Sequence, residues 1–227
     1  MKGAVKRQAA ISKTTAMLHR KPGATRSVSG NVSRISGNQW IIGELMEDHE
    51  LVARVREGDP DAINAIVDAY KGPLFAFILR MTGNKDNAED LFQETWLKVV
   101  KYIGNFRGDS KLSTWLFQIA LNLVRDSERK KKRWKMEPID DFSQNLSKAP
   151  DVDPIKLLEA SQVKEMIDSL PVKMREVVIL RYYHELNDRE ISAIAGCPEG
   201  TVKSRFFRAS DIMRKKWTHM QKEPEYR

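Results

Sequence analysis

The chain has 227 residues, 41% of them hydrophobic and 31% charged, and a formal net charge of +8. That is enough for one large or two small domains with apolar cores. Its one cysteine, Cys197, excludes an intramolecular disulfide and a zinc site built from cysteines, and fits a reducing compartment. No uninterrupted run of 18 apolar residues marks a membrane span.

The positive charge is unevenly placed. Within residues 1–46, Lys2, Lys6, Arg7, Lys13, Arg20, Lys21, Arg26 and Arg34 stand against Glu44 alone, which puts +7 there and leaves +1 for residues 47–227. Affinity of the body for nucleic acid must therefore come from local patches. The extension is rich in Ser, Thr and Gly and reads as disordered. Its composition also suits an organellar transit peptide, or an upstream stretch if translation starts at Met46; a long apolar secretory core is missing. Trp40-Ile41-Ile42 could form a short docking turn.

From 47 to 133 the pattern is helical. Residues 48–56 read as a short opening helix. Asp59-Pro60 supplies an N-cap and a first-turn proline. Ala62, Ile63, Ile66, Val67 and Tyr70 follow at helical spacing, and Leu74, Phe75, Phe77, Ile78 and Met81 carry the stripe to a stop at Gly83. A third helix spans about 85–103. Its inward arc is Ala88, Phe92, Trp96, Val99 and Ile103. The other side displays Asp86, Glu89, Asp90, Gln93 and Glu94, with Leu97 among them. This acidic surface would repel DNA phosphates. It reads either as a solvated face or as a docking surface for a basic protein, with Leu97 as anchor. A loop from Gly104 to Asp109 leads into a fourth helix, about 110–133, capped by Asp109 or Ser110. That helix carries Thr114, Trp115, Phe117, Gln118 and Asn122 and ends in Arg125, Arg129, Lys130, Lys131, Lys132 and Arg133. Aromatics beside a polar loop and a basic end suit single-stranded DNA. Equally, one of Trp115 and Phe117 belongs to the core, and the basic end answers the helix macrodipole.

Residues 134–153, with Pro138, Pro150 and five acidic side chains, read as an acidic linker. Helical periodicity then resumes over 154–220. Leu157, Leu158, Ala160, Val163, Met166, Ile167 and Leu170 form one helix; Pro171 starts another, with Val177, Val178, Leu180 and Tyr183 inward. Residues 188–195 form a short amphipathic helix with Ile191 and Ile194 inside, Gly196 suits a left-handed turn, and Pro198 and Gly200 open the last helix. On that helix Val202, Phe206, Ala209 and Met213 share one stripe, while Thr201, Lys203, Ser204, Arg205, Phe207, Arg208 and Lys215 occupy the opposite arc. Cations and hydroxyls so arranged bond phosphates and base edges, which makes this a helix-turn-helix rather than a solvated hairpin. Cys197 serves the turn. Residues 221–227 are a tail, and the fold class is all-α: two small helical domains joined by a flexible linker.

His19, His49, His184 and His219 lack metal-type spacing, and neither GxxxxGK[ST] nor HExxH occurs. The acidic set near 86–94 lies on one helix face, whereas nuclease metal ligands come from several elements. A helical nuclease or glycosylase is thus a rival reading without a site. A stand-alone regulator using only 154–220 leaves the acidic helix and the segment 106–122 without a task.

Three pieces in order carry a resemblance: Asn87-Ala88-Glu89-Asp90-Leu91-Phe92-Gln93-Glu94-Thr95-Trp96; then Phe106-Arg107-Gly108-Asp109-Ser110 with Thr114-Trp115-Leu116 and Ile119-Ala120-Leu121-Asn122; then Gly200-Thr201-Val202-Lys203-Ser204-Arg205 with Arg208-Ala209, preceded by Leu170-Pro171, Arg175, Val178 and Leu180-Arg181. Together, over 47–217, the chain resembles the extracytoplasmic-function sigma factors, the small specificity subunits of bacterial RNA polymerase. The resemblance implies a binding and promoter-melting subunit with no catalytic site, cofactor or metal of its own. It implies a region 2-like domain over 47–133 and a region 4-like domain over 154–220. By it, Asp90, Gln93, Glu94 and Leu97 dock on the clamp coiled coil of core polymerase, whose flap is a further contact. Phe106, Arg107, Gly108, Asp109 and Ser110 capture a flipped base of the minus-10 element, with Asn122 and Arg129 on the DNA nearby. Thr201, Lys203, Ser204, Arg205, Phe207 and Arg208 read the minus-35 element. An anti-sigma factor, often membrane-bound in this family, is an implied partner; the protein itself is expected in the bacterial cytoplasm, on the nucleoid when active, with no membrane insertion. Asn187 stands where a capping Ser is common, Phe206-Phe207 is bulky for the family, and residues 1–46 fall outside its pattern.

Overall fold

The computed structural model describes residues 45–134 and 154–220. Residues 1–44 of the N-terminal extension, most of the acidic linker and the C-terminal tail lie outside the described residues. Among those described are eight α-helices and no strand: α1 (Leu45–Glu57), α2 (Pro60–Thr82), α3 (Lys85–Tyr102), a 3-10 turn (Ile103–Asn105), α4 (Leu112–Trp134), α5 (Pro154–Asp168), α6 (Val172–Tyr183), α7 (Asp188–Ala195) and α8 (Glu199–Met220).

Local chemistry sets these boundaries. The Asp59 carboxylate accepts from the Asp61 N–H at 2.9 Å, and Pro60 occupies the first turn of α2. Gly83 ends α2 at φ 67°, its N–H bonded to Leu79 O. Asn84 caps α3 through the Asn87 N–H at 2.8 Å. Pro171 opens α6 without a side-chain cap.

α2 is the central strut of the first domain and packs against α1, α3 and α4. It is long and apolar enough to cross a membrane, but Ala62, Ile66, Leu74, Phe77, Ile78 and Met81 are the buried residues of this bundle. Trp96 and Val99 from α3 and Leu116, Ala120, Leu121 and Val124 from α4 complete the core. Each fully buried Leu, Ile or Phe contributes about 1.5–3 kcal/mol. In the second domain α6, α7 and α8 surround Val177, Ile179, Leu180, Ile191, Ile194, Val202 and Ala209.

The two domains are not held apart. α7 lies on α4, and α6 lies on α2, so the buried residues of both halves form one continuous apolar cluster.

Candidate nucleic-acid interface

Three surfaces carry the residues singled out by the sequence. On α3, Asp90 and Glu94 are exposed, Gln93 is half-buried and Leu97 is 49% exposed. The inward face is wider than the spacing predicts. It takes in Leu91 and Thr95 and leaves Phe92 half-buried, because α3 packs against both α2 and α4. The buried Thr95 hydroxyl donates to Leu91 O at 2.6 Å, so its burial carries no orphan donor. Lys98 pairs with Glu94 at 3.6 Å and Lys85 with Glu89 at 3.8 Å, which trims the acidic field without cancelling it.

The loop ahead of α4 presents Arg107 and Asp109 to solvent and leaves Gly108 and Ser110 half-buried. Phe106 departs from the expectation that it faces DNA. It is only 6% exposed, its ring lying 5.5 Å from Trp115 and 6.4 Å from His49. In this structure the ring packs in an aromatic niche beneath the loop rather than facing solvent. Gly108 has φ +81°, a backbone state that favours glycine, and a Cβ there would stand 2.2 Å from Cε1 of the exposed His49 ring, which would have to swing aside. On α4 Phe117 is core and Trp115 is half-buried; Asn122 and Arg129 are exposed, and Arg129 pairs with Asp126 one turn back.

The helix-turn-helix forms as its spacing predicts. Asn187 and Glu190 make a reciprocal capping box at the start of α7, and Gly196 turns the chain at φ 64°. The Glu190 carboxyl is held below its usual range by Lys111 and the Asn187 N–H, against the opposing effect of burial. On α8 Lys203, Ser204, Phe207 and Arg208 are exposed, Phe207 at 68%, and Thr201 is half-buried. Phe206 turns inward beneath the Arg181 guanidinium, 4.3 Å from its ring centre. Arg205 is the correction here. Its side chain is 17% exposed and donates to Glu176 Oε1 at 3.1 Å and to Cys197 Sγ at 3.4 Å. The buried carboxylate of α6 draws it off the outward arc.

Contacts between the domains were not foreseen. Arg125 of α4 grips Glu176 of α6 through two bonds, 2.9 and 2.6 Å, and gives a third to Ala195 O at 3.0 Å. Glu176 has no exposed surface; burial pushes its carboxyl up, with Arg125 and Arg205 pulling against it. Lys111 meets Glu190 at 2.7 Å, Gln118 donates to Ala193 O at 2.7 Å, and Arg175 donates to Met81 O at 2.8 Å. His184 wedges between Phe77 and Phe117, with ring centres 5.8 and 4.9 Å away. Burial first, and then Arg80, lower its pKa to about 4. A carboxylate inside the apolar arc of α6 was the one sequence signal for such a hub, since a buried acid calls for a cation.

Both halves of the chain match known proteins. The family description "Sigma-70 region 2" matches residues 66–134, and "Sigma-70, region 4" matches residues 160–211. The ECF RNA polymerase sigma factor SigW of Bacillus subtilis is 36% identical over 174 residues, covering 72% of this chain and 93% of that protein. The RNA polymerase sigma-H factor of Pseudomonas aeruginosa is 31% identical over 181 residues, covering 74% and 93%. The ECF RNA polymerase sigma-E factor of Escherichia coli K12 is 31% identical over 182 residues, covering 76% and 95%. Among solved structures, CnrH in complex with the cytosolic domain of CnrY shares the fold at TM-score 0.58 and 23% identity, covering 76% of this chain and 98% of that one. The sigma factor RpoE in complex with the anti-sigma factor NepR from Bartonella quintana matches at TM-score 0.56 and 26% identity, covering 68% and 96%.

Proposed function

The chain belongs to the extracytoplasmic-function sigma factors of bacterial RNA polymerase, and from that premise we propose how its residues divide the work. Its function is that of the family: it binds core polymerase in the bacterial cytoplasm and directs promoter-specific initiation. It does so as a binding and melting subunit without a catalytic site of its own.

The exposed strip of α3, with Asp90, Gln93, Glu94 and Leu97, docks on the clamp coiled coil. Leu97 is the apolar anchor and the carboxylates meet basic side chains. The second domain engages the flap. Arg107, Gly108, Asp109 and Ser110 receive the flipped minus-10 base, on a loop anchored by Phe106, while Asn122 and Arg129 hold the strand. Lys203, Ser204, Phe207 and Arg208, with Thr201, read the minus-35 element in the major groove; Arg205 supports that helix from beneath. The observation that carries this reading is the row of exposed polar and cationic residues on α8, in the same chain as an exposed acidic α3.

The two promoter elements are, by their names, about 25 base pairs apart, or about 85 Å of duplex at about 3.4 Å each. α4 and α7 touch in this structure. Reading both elements at once therefore requires the domains to part. An anti-sigma factor that holds them together fits this geometry, and the bound NepR of the Bartonella quintana relative supports such a partner here. A membrane-anchored anti-sigma factor and residence on the nucleoid when active belong to the same proposal.

The test is to combine the purified chain with bacterial core polymerase on genomic fragments and map RNA start sites. Discrete start sites that need both components are the expected result, and they reveal the promoter. A folded protein that binds duplex DNA alone and starts no RNA with polymerase would refute the proposal in favour of a stand-alone regulator.

A further inference from the structure

The segment ahead of the region 2 match, which begins at residue 66, has its own task. α1 sits there, fastened to the bundle by Val52 in the core and by the Tyr70 hydroxyl donating to the buried Asp48 at 2.9 Å. His49, Val52 and Arg56 follow one another at helical intervals of three and four, so they share a face. That face meets the loop between α3 and α4. The Arg56 guanidinium donates from Nε to Gly104 O at 3.2 Å and from Nη2 to Phe106 O. One planar cation thus ties two carbonyls on either side of Asn105. The His49 ring lies against Gly108, within 2.2 Å of where a Cβ would stand, and faces the Phe106 ring at 6.4 Å. Loop residues from 104 to 108 are thereby held from a different helix than the ones they connect.

We propose that α1 is a positioning element for the minus-10 capture loop, with Arg56 and His49 as positioning residues that set where Arg107, Asp109 and Ser110 present their polar groups. This rests on the capture role given to that loop above. Neither residue touches the base. Arg56 fixes the carbonyls at 104 and 106, and His49 backs the glycine at 108, so the loop is formed before DNA arrives. A loop ordered in advance does not have to be ordered during strand opening. The consequence is kinetic and base-specific: loss of the clamp slows opening and flattens the preference at the captured position, while polymerase binding through α3 is untouched.

The experiment uses the full chain with core polymerase on the promoter found by start-site mapping. Strand opening is followed by permanganate reactivity of unpaired thymines, for wild type, Arg56→Ala, Arg56→Lys and His49→Ala. Two templates are compared: the duplex promoter, and one pre-opened by a mismatched bubble with an abasic site in place of the captured base. We expect Arg56→Ala to slow opening of the duplex by up to about 100-fold, the loss that misplacing a group by about an ångström can cause. Arg56→Lys, which keeps the charge but cannot bridge both carbonyls, falls between. On the pre-opened abasic template, whose bubble is reactive from the start, polymerase-dependent RNA synthesis is the readout, and there all variants match wild type. Equal loss on both templates would overturn the proposal and make Arg56 a general stability residue; unchanged opening of the duplex would overturn it as well. Wild type that uses duplex promoters with the normal and an abasic captured position equally well would overturn the capture reading of the loop, and the clamp with it.

Discussion

Glu176 shows what a single buried charge does in this molecule. Its carboxylate has no exposed surface and meets guanidiniums from α4 and α8. Removing one partner of such a set leaves the others charged and unpaired, so Glu176→Ala is expected to cost about 3–5 kcal/mol, read by urea unfolding. Arg205 and Arg208, three residues apart, separate cleanly by experiment. Arg208→Ala is expected to cost about 1–3 kcal/mol of promoter binding, with melting temperature unchanged, in a polymerase-dependent binding assay. Arg205→Ala is expected to lower the melting temperature first, since its guanidinium is spent on Glu176. The helical spacing of α8 held the information for this. Residue 205 stands three after the buried Val202 and four before the buried Ala209, which puts it beside the inward stripe. Its identity as an arginine pointed outward, because nothing in the sequence says that a buried carboxylate on another helix awaits it.

At the scale of elements, α3 is the part most directly testable. Leu97 is exposed and makes no claim on the core, so Leu97→Asp is expected to leave circular dichroism and melting temperature in place while weakening the complex with core polymerase, measured by fluorescence anisotropy. A fall in stability of the same size as the fall in affinity would mean that Leu97 belongs to the bundle. Most helix ends were legible to within a residue or two because Asp59-Pro60, Gly83, Asn187 and Gly196 punctuate them with side-chain caps and left-handed turns, whereas α1, which has no such signal at its start, begins at Leu45, three residues ahead of the expected 48. The short 3-10 turn was not legible, nor was the inward place of Phe106. Both depend on α1 reaching across to residues about fifty positions later, as Arg56 does to Phe106, and no periodicity encodes a contact of that kind. The width of the buried face of α3 was missed for a related reason: a helix packed on two neighbours buries more than one stripe.

Across the described residues the two domains close on each other, and the closure has a titratable part. His184, from the end of α6, lies between Phe77 and Phe117 of the first domain and near Arg80. Unfolded, a histidine titrates near 6.5; here it does so at about 4. Between those values the unfolded chain binds more protons, so stability is full above about pH 6.5 and drains away as the pH falls toward 4. The loss is at most about 3 kcal/mol. Urea unfolding at pH 6.5 and 5 is expected to show this slope, and His184→Phe, which keeps the ring, is expected to flatten it. Arg125→Ala, which removes three bonds across the interface, is expected to raise the radius of gyration in solution scattering. None of this packing was readable in advance, since Lys111–Glu190 and Gln118–Ala193 join residues 79 and 75 positions apart.

The interface between α4 and α7 also sets the terms on which partners compete. A closed form favoured by about 2.7 kcal/mol leaves roughly one molecule in a hundred open. A partner that grips only open molecules then loses about a hundredfold in affinity, while one that clasps the closed pair loses almost nothing. On the proposed opening of the two domains, every bond from Arg125 to the second domain is a weight on the balance between polymerase and inhibitor. If polymerase takes the open form and an inhibitor the closed one, as proposed above, a substitution there shifts which of them holds the protein at a given concentration.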